Sequence, residues 1–167
     1  MAKDTFVNLV YAACTETAAN TLTFQKIETG YGSLQKTAWI IQRIEWYLSA
    51  SARNLIVAAD DSVTAALVSS NLITTLDLAQ ASLFDLYEYK VHYQTSVGFA
   101  PTADPVIRDF AELSGGGRLC LPYPLYVAVK GTSIASAVTI KCRISFIEKE
   151  LSDADWMELV QQTRLLS

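Results

Sequence analysis

The nine residues Val138-Thr139-Ile140-Lys141-Cys142-Arg143-Ile144-Ser145-Phe146 are the most decisive stretch for predicting the structure. Apolar residues occupy every second position in it, and the residues between them are polar or charged. Because successive side chains of a β-strand point to opposite sides, this alternation predicts a strand with one buried face and one solvent-facing face. Half-buried strands of this kind are typical of antiparallel sheets. We therefore expect antiparallel β-structure over 138–146.

Other segments predict further strands. Pro124–Val129 precedes the deciding stretch, and we expect Lys130-Gly131-Thr132-Ser133 to form the turn that ends this earlier strand. Phe84–Gln94 alternates aromatic residues with polar and charged ones, which favours a strand. Asn20–Glu28 and Ser62–Ser69 are shorter candidates.

The segment Thr37–Leu48 is long enough for a helix, but its pattern favours a long strand. Alternation would place on one face Ile40, Gln42, Ile44, Trp46 and Leu48. It would place on the other face Trp39, Ile41, Arg43, Glu45 and Tyr47. The preceding Gly30-Tyr31-Gly32 is a break that suits the start of a strand.

Two other regions differ in character. Phe99–Arg118 contains two prolines and three consecutive glycines, and we predict a long irregular connection of the kind that serves binding or assembly. At the end of the chain, Ser152 is placed to cap a helix, with Asp155 at the capping-box position. Leu151 and Trp156 occupy the positions of a hydrophobic staple, and the helix is expected to run to about Gln162.

Length and composition limit the organisation of the chain. Its 167 residues predict a single domain, 1–167, with a capped tail at about 152–167. Hydrophobic residues make up 51% and the mean hydropathy is +0.23, which suggests surface hidden against other chains. The net charge of −4 argues against a free-standing nucleic-acid-binding domain. We expect no signal peptide and no membrane span.

With seven to nine predicted strands and few helices, the chain is expected to be all-β, folded as a sandwich or a barrel.

Cysteine and histidine offer little chemistry. Cys14, Cys120 and Cys142 are widely spaced and contain no CxxC, so we interpret them as buried thiols, with a single disulfide as the alternative. His92 is the one histidine, and without a GxSxG motif or an evident partner it is expected to face solvent or a subunit contact. We predict no catalytic, cofactor-binding or metal-binding residues and no cofactor.

Three groups of polar residues could suggest a binding or catalytic site, but each is interpreted as an ordinary loop, turn or surface. Ser114–Arg118 resembles a phosphate loop but runs into a strand-like segment, which favours a flexible loop or bulge. Asp60-Asp61 is expected to be a solvated turn. Lys141 and Arg143, with Lys130 near the adjacent turn, could form a basic patch, but three charges are too few to dominate nucleic-acid binding.

The large aromatic residues are predicted to lie mostly in the core, with some of them serving subunit contacts. The residues considered are Trp39, Trp46, Tyr123, Tyr126 and Trp156.

The layout of these elements resembles the single jelly-roll coat proteins of small icosahedral viruses. The resemblance is architectural and covers most of the chain. It rests on the strands Trp39–Leu48 and Phe84–Gln94, the glycine-rich loop running into Leu119–Pro124, the hairpin Tyr126–Phe146 and the capped tail.

This resemblance implies an eight-stranded antiparallel jelly-roll sandwich with a short C-terminal helix. It further implies a structural capsid protein of the virion, made in the host cytoplasm, whose partners are copies of itself, with other capsid components as a second option. Many such coats carry a basic arm, but the first forty residues of this chain hold only Lys3, Lys26 and Lys36 against three acids. Direct genome binding is therefore expected to be weak or absent.

The alternative is an oligomeric β-sandwich that binds a carbohydrate or a receptor. Asp60-Asp61 and the Phe99–Asp109 loop would be available to such a module.

Overall fold

A computed structural model describes residues 6–32, 35–58, 60–80, 82–90 and 105–165. These residues form strands β1 Asn8–Thr15, β2 Thr23–Lys26, β3 Thr37–Leu48, β4 Ser62–Val68, β5 Leu83–Lys90, β6 Val106–Asp109, β7 Arg118–Cys120, β8 Tyr126–Thr132 and β9 Thr139–Glu150. The helices are α1 Ala50–Arg53 and α2 Asp153–Leu165.

The strands form two antiparallel sheets. Sheet A has the order β1-β9-β3-β6. Strand β7 pairs with the same edge of β3 as β6 does, β7 with residues 39–41 and β6 with residues 43–46. Sheet B has the order β2-β8-β4-β5. The prediction of an all-β chain with antiparallel strands and a short C-terminal helix is confirmed.

The main core lies between the two sheets. Sheet A contributes Trp39 and Trp46, which are almost fully buried. Trp39 stacks on Phe146 within sheet A, with 3.8 Å between ring centroids. Trp46 stacks on Tyr87 of sheet B, with 6.1 Å between centroids. Aromatic pairs of this size bury much apolar surface, and the Trp46–Tyr87 pair packs the two sheets against each other.

The alternation of the deciding stretch is confirmed in β9. Its buried residues are Val138, just before the strand, and Ile140, Cys142, Ile144 and Phe146. The residues between them lie on the other face of sheet A.

The segment Thr37–Leu48 is a strand, as predicted, but the predicted faces are wrong. The register of β3 against β9 shifts between Ile41 and Arg43, which marks a β-bulge at Gln42. An extra residue exchanges the two faces of a strand beyond it. Trp39 and Ile41 are therefore buried before the bulge, and Ile44, Trp46 and Leu48 are buried after it.

The predicted turn Lys130–Ser133 is also wrong, because β8 continues to Thr132. Gly131 is needed in the strand for a close approach. A β-carbon there would lie 2.2 Å from Ile134 Cδ1. The chain turns only after this point, where Ser133 has a φ of 58°.

Other boundaries shift. The strand predicted over Asn20–Glu28 is limited to Thr23–Lys26. The strand predicted over Phe84–Gln94 is confirmed as Leu83–Lys90, and its last four residues lie outside the described residues. The described part of the predicted irregular connection Phe99–Arg118 contains a strand, Val106–Asp109, and β7 begins at its end. The first strand, Asn8–Thr15, was not predicted.

The C-terminal helix begins as predicted. The Asp155 amide donates to Ser152 Oγ at 3.2 Å, and Ser152 Oγ donates to Asp155 Oδ2 at 2.7 Å. The first bond is the N-cap bond of a capping box, whereas the second joins the two side chains instead of reaching the Ser152 backbone amide. The helix extends to Leu165, slightly beyond the predicted end.

The outer face of sheet B carries a second, smaller apolar cluster. Ala66, Val68 and Ala128 point away from the main core but are completely buried. Partly buried apolar residues cover them, including Ile73 and Leu76 from the connection between β4 and β5. The rest of the cover consists of Leu22, Phe24, Leu83, Leu86 and Tyr126.

Candidate functional site

The outer face of sheet A, which points away from sheet B, carries a row of interacting polar side chains. The strand register places Arg143 of β9 between Tyr11 of β1 and Glu45 of β3. Alternation in β9 turns Arg143 outward, and the bulge in β3 does the same for Glu45. The sequence pattern placed Arg143 on the polar face of its strand, but it predicted neither strand β1, which carries Tyr11, nor the row across three strands.

Glu45 is the acid of this row and is buried although it lies on an outer face. The Arg143 guanidinium donates to Glu45 Oε2, and the Tyr47 hydroxyl donates to the same oxygen at 2.7 Å. Because these donors favour the ionised carboxylate, chiefly Arg143, the pKa of Glu45 is lowered. The same ion pair raises the pKa of Arg143, and Tyr11 also hydrogen-bonds to Arg143.

A second ion pair crosses the same face toward β6. Arg43 and Asp109 are register partners, and Arg43 donates to Asp109 Oδ2 from Nη2 at 2.8 Å and from Nε at 3.2 Å. The backbone amide of Ala111 and then Arg43 lower the pKa of Asp109. Both arginines of this face are thus bound to carboxylates of their own chain.

An open hollow of about 840 Å³ lies at one end of this face, beside the row. Two tyrosine rings, Tyr11 and Tyr47, stand beside hydroxyl groups and one ammonium. The polar lining residues are Ser49, Ser51, Thr139 and Lys141, and the remaining ones are Ala12, Ala13, Leu48 and Cys142. Aromatic rings next to hydroxyl groups can pack against a small polar ligand while hydrogen-bonding to it.

Apolar side chains are exposed at both edges of sheet A. One group lies in and just before β1, and consists of Phe6, Val7, Leu9 and Tyr11. On the opposite edge, Ile107 of β6 and Leu119 of β7 are exposed. Single exposed apolar residues are common on protein surfaces, whereas a contiguous patch of them is a feature of interaction sites.

A buried carboxylate, Asp85, lies on the inner side of β5. It accepts a hydrogen bond of 2.7 Å from Trp46 Nε1, and Arg108 Nε lies 4.0 Å from its other oxygen. Burial raises the pKa of Asp85 more than these partners lower it. The sequence offered one signal that was not used, because Asp85 continues the alternating series that includes the buried residues Tyr87 and Tyr89.

Another buried acid, Glu16, holds the turn between β8 and β9. Its Oε1 accepts from the Gly131 amide at 2.6 Å, and its Oε2 accepts from the Val138 amide at 3.0 Å. Asn20 completes the arrangement through two 3.0 Å hydrogen bonds with the backbone of Ile134. These contacts satisfy buried backbone groups, so both residues have a structural role that the sequence did not indicate.

The prediction that Asp60-Asp61 is a solvated turn holds for one of the two residues. Asp60 is exposed, but Asp61 is buried and its Oδ2 accepts from the amides of Val57 and Ala58 at 2.9 and 2.8 Å. A carboxylate that accepts two backbone donors stabilises a turn of the chain. The prediction of a solvated pair is therefore wrong for Asp61.

The glycine-rich stretch Ser114–Arg118 leads into strand β7 and not into a helix. This agrees with its interpretation as a loop and not as a phosphate-binding loop. All three glycines have positive φ, and a β-carbon at Gly117 would lie 2.4 Å from the Ile41 carbonyl oxygen. The loop packs closely on β3.

The possible basic patch is divided between the two sheets. Lys130 lies on β8 of sheet B, whereas Lys141 and Arg143 lie on β9 of sheet A. Since Arg143 is also paired with Glu45, the structure does not bring the three charges together.

The cysteines and aromatic residues can be placed as well. Cys14, Cys120 and Cys142 are free, buried thiols, as predicted, and burial raises the pKa of Cys14 to about 11 and that of the other two to about 12. Of the five aromatic residues considered, Trp39 and Trp46 are core residues. Partly exposed are Tyr123, Tyr126 and Trp156. His92 lies outside the described residues.

Within the described ranges, no three or more His, Cys, Asp and Glu side chains are grouped as metal ligands would be. No helix among the same residues is long and apolar enough to span a membrane. The sequence matches no protein-family model and no curated protein.

Proposed function

We propose that the two sheets form a jelly roll and that the protein is a structural capsid protein. The observation that carries the proposal is the pairing of the strands. Antiparallel partners are β1 with β9, β2 with β8, β3 with both β6 and β7, and β4 with β5. This is the pairing of one long antiparallel ribbon whose closed end is the β4–β5 pair.

The remaining pairings support rolling of that ribbon. β9 also pairs with β3, and β8 also pairs with β4, so the two arms lie side by side in both sheets. If β6 and β7 count as one interrupted strand, eight strands give two Greek keys, which is the arrangement of a jelly roll.

Jelly rolls occur in viral capsid proteins and in lectins, so the fold alone does not decide the function. The exposed apolar residues at both edges of sheet A favour assembly. On this proposal the protein is not an enzyme. Its partners are copies of itself in a virion shell whose subunits are made in the host cytoplasm.

The charges support a shell with weak or absent genome contact. The chain carries a net charge of −4. On the outer face of sheet A, called the open face from here on, Arg43 and Arg143 are neutralised by Asp109 and Glu45. Subunits of like charge repel one another. Association must then come from burying apolar and aromatic surface, at roughly 25 cal/mol per Å² before the costs of association.

The hollow on sheet A favours a second candidate, an oligomeric module that binds a carbohydrate or a receptor. Tyr11 and Tyr47 would offer ring faces to a sugar, and the neighbouring hydroxyl groups would offer hydrogen bonds. This candidate requires a small oligomer of fixed size rather than a shell.

Native mass spectrometry and electron microscopy of the purified, nuclease-treated protein separate the two candidates. The capsid proposal expects closed particles of megadalton mass, or pentamers or trimers that are their building blocks. A small oligomer that binds glycans, and loses that binding in Tyr47→Ala, would favour the module instead. Ser145→Ala, on the same face but not lining the hollow, is the control for the variant.

A further inference from the structure

We propose that the open edge of β1 pairs, antiparallel, with β1 of a second copy of this chain. The two copies of sheet A would then join into one continuous sheet. This inference rests on the proposed self-assembly and names one of its contacts.

The hydrogen-bonding direction of β1 can be deduced from its pairing with β9. The Glu16 amide donates to the Val138 carbonyl at 3.0 Å, and these residues continue the β1–β9 register. Opposed residues in an antiparallel pair alternate between bonded and non-bonded pairs. Even-numbered residues of β1 therefore bond to β9.

A second contact agrees with this assignment. Thr15 and Thr139 are opposed, and their side-chain hydroxyl oxygens lie 2.9 Å apart. Side chains approach most closely in non-bonded pairs. It follows that the backbone N–H and C=O groups of the odd residues point to the open edge, away from β9. These residues are Leu9, Tyr11, Ala13 and Thr15.

Among the described strands, β1 is an edge without the usual protection. Its eight residues include no charged residue, no proline and no glycine. Each of the other edge strands carries charge: β2 has Lys26, β5 has Asp85, Glu88 and Lys90, β6 has Arg108 and Asp109, and β7 has Arg118. Natural proteins protect edges with charges, prolines or bulges, and an edge without them is a template for another strand.

Apolar exposure is also high at this edge, although the two most exposed leucines, Leu72 and Leu78, lie in the connection between β4 and β5. Four large apolar side chains within six consecutive residues are at least half exposed: Phe6 at 77%, Val7 at 54%, Leu9 at 53% and Tyr11 at 68%. Leu9 and Tyr11 stand on the outer face beside the odd-numbered backbone groups. A paired strand would therefore satisfy hydrogen bonds and cover apolar surface together.

The absence of charge favours a second copy as the occupant. A β1 strand placed opposite itself brings no like charges together, which matters for subunits that each carry −4. Pairing Leu9 with Thr15 of the second copy, and Tyr11 with its Ala13, uses all four outward-bonding residues. The contact is symmetric, so it joins two subunits about a two-fold axis.

The substitution Ala13→Pro tests the pairing. It removes an amide that points to the open edge, and proline is tolerated on an edge strand at such a position. Ala13→Thr keeps the amide and is the matched control. We expect the wild-type chain and Ala13→Thr to form dimers or larger assemblies, and Ala13→Pro to associate at least about tenfold more weakly with an unchanged circular dichroism spectrum.

If Ala13→Pro does not fold, Ala13→Lys replaces it, because that residue keeps the backbone and introduces like charges across the two-fold axis. Hydrogen exchange provides a second measurement. The amides of Leu9, Tyr11, Ala13 and Thr15 should be protected in the associated wild-type protein and exchange rapidly when it is diluted to monomers.

The outcomes separate this inference from the capsid proposal. Particles that form equally well from wild type and Ala13→Pro would overturn the β1 contact and leave the shell standing. Dimers that never grow into particles, but dissociate in Ala13→Pro, would support the β1 contact and overturn the shell. A wild-type protein that is monomeric at every concentration overturns both.

Discussion

The outer faces of sheets A and B differ in how far the chain's own residues cover them. On sheet B, the small residues Ala66, Val68 and Ala128 are completely buried beneath side chains such as Ile73 and Leu76. On sheet A, an ion-paired row, an open hollow and exposed apolar residues face outward. Among the described residues, the chain covers the apolar outer face of sheet B with its own side chains and leaves the outer face of sheet A uncovered.

The largest expected effect comes from placing a carboxylate on each face. Ala128→Asp puts a charge with no partner under the cover of sheet B and should lower the free energy of unfolding by about 3–5 kcal/mol or prevent folding. Leu9→Asp, on the open face, should change it by less than about 0.5 kcal/mol but impair self-association. Urea unfolding and sedimentation measure both, and equal loss of stability in the two variants would contradict the contrast.

Acid should weaken the open face selectively. The lowered pKa of Glu45 means that its contribution to stability is present above its ordinary pKa near 4.5 and is lost as pH falls through the lowered value. At pH 7, Glu45→Gln should destabilise the fold by on the order of 1–2 kcal/mol through loss of the charged hydrogen bonds. The difference from wild type should shrink toward pH 3 in urea unfolding. A difference in stability that does not change with pH would show that the ionised form of Glu45 does not stabilise the fold.

The smallest expected effect comes from removing one methylene from an apolar residue on each face. Ile73→Val removes one methylene from the cover of sheet B and should cost about 0.5–1 kcal/mol, since Ile73 is only partly buried. Ile107→Val, on the exposed edge of sheet A, should cost nothing measurable in the monomer. Matching losses in thermal unfolding would mean that the cover does not pack as described.

The sequence predicted well where residues alternate without interruption. In β9 the apolar residues at alternate positions from 138 to 146 identify the buried face correctly, and the N-cap residue Ser152 identifies the start of α2. In β3 the strand is predicted but its faces are not, because the bulge at Gln42 depends on pairing with β9 rather than on any local pattern. Short strands such as β6 and β7 exist only because β3 offers an edge to them.

The features of the candidate site were harder to predict for the same reason. Strand β1 has apolar residues on both faces, so its sequence shows no alternation of apolar and polar residues, and it was not predicted as a strand. The row Tyr11–Arg143–Glu45 is created by register among strands far apart in sequence. A buried acid such as Glu16 looks like any surface acid until the backbone amides that it accepts from are placed.

The most direct test of assembly through apolar contacts is particle yield by sedimentation across a salt series, after nuclease treatment. Added salt screens repulsion between subunits of like charge over a Debye length of about 10 Å at 0.1 M and leaves apolar burial in place. We predict particles without nucleic acid, with a yield that is constant or rises in moderate salt. Particles that dissolve in moderate salt, or after nuclease treatment, would contradict the account.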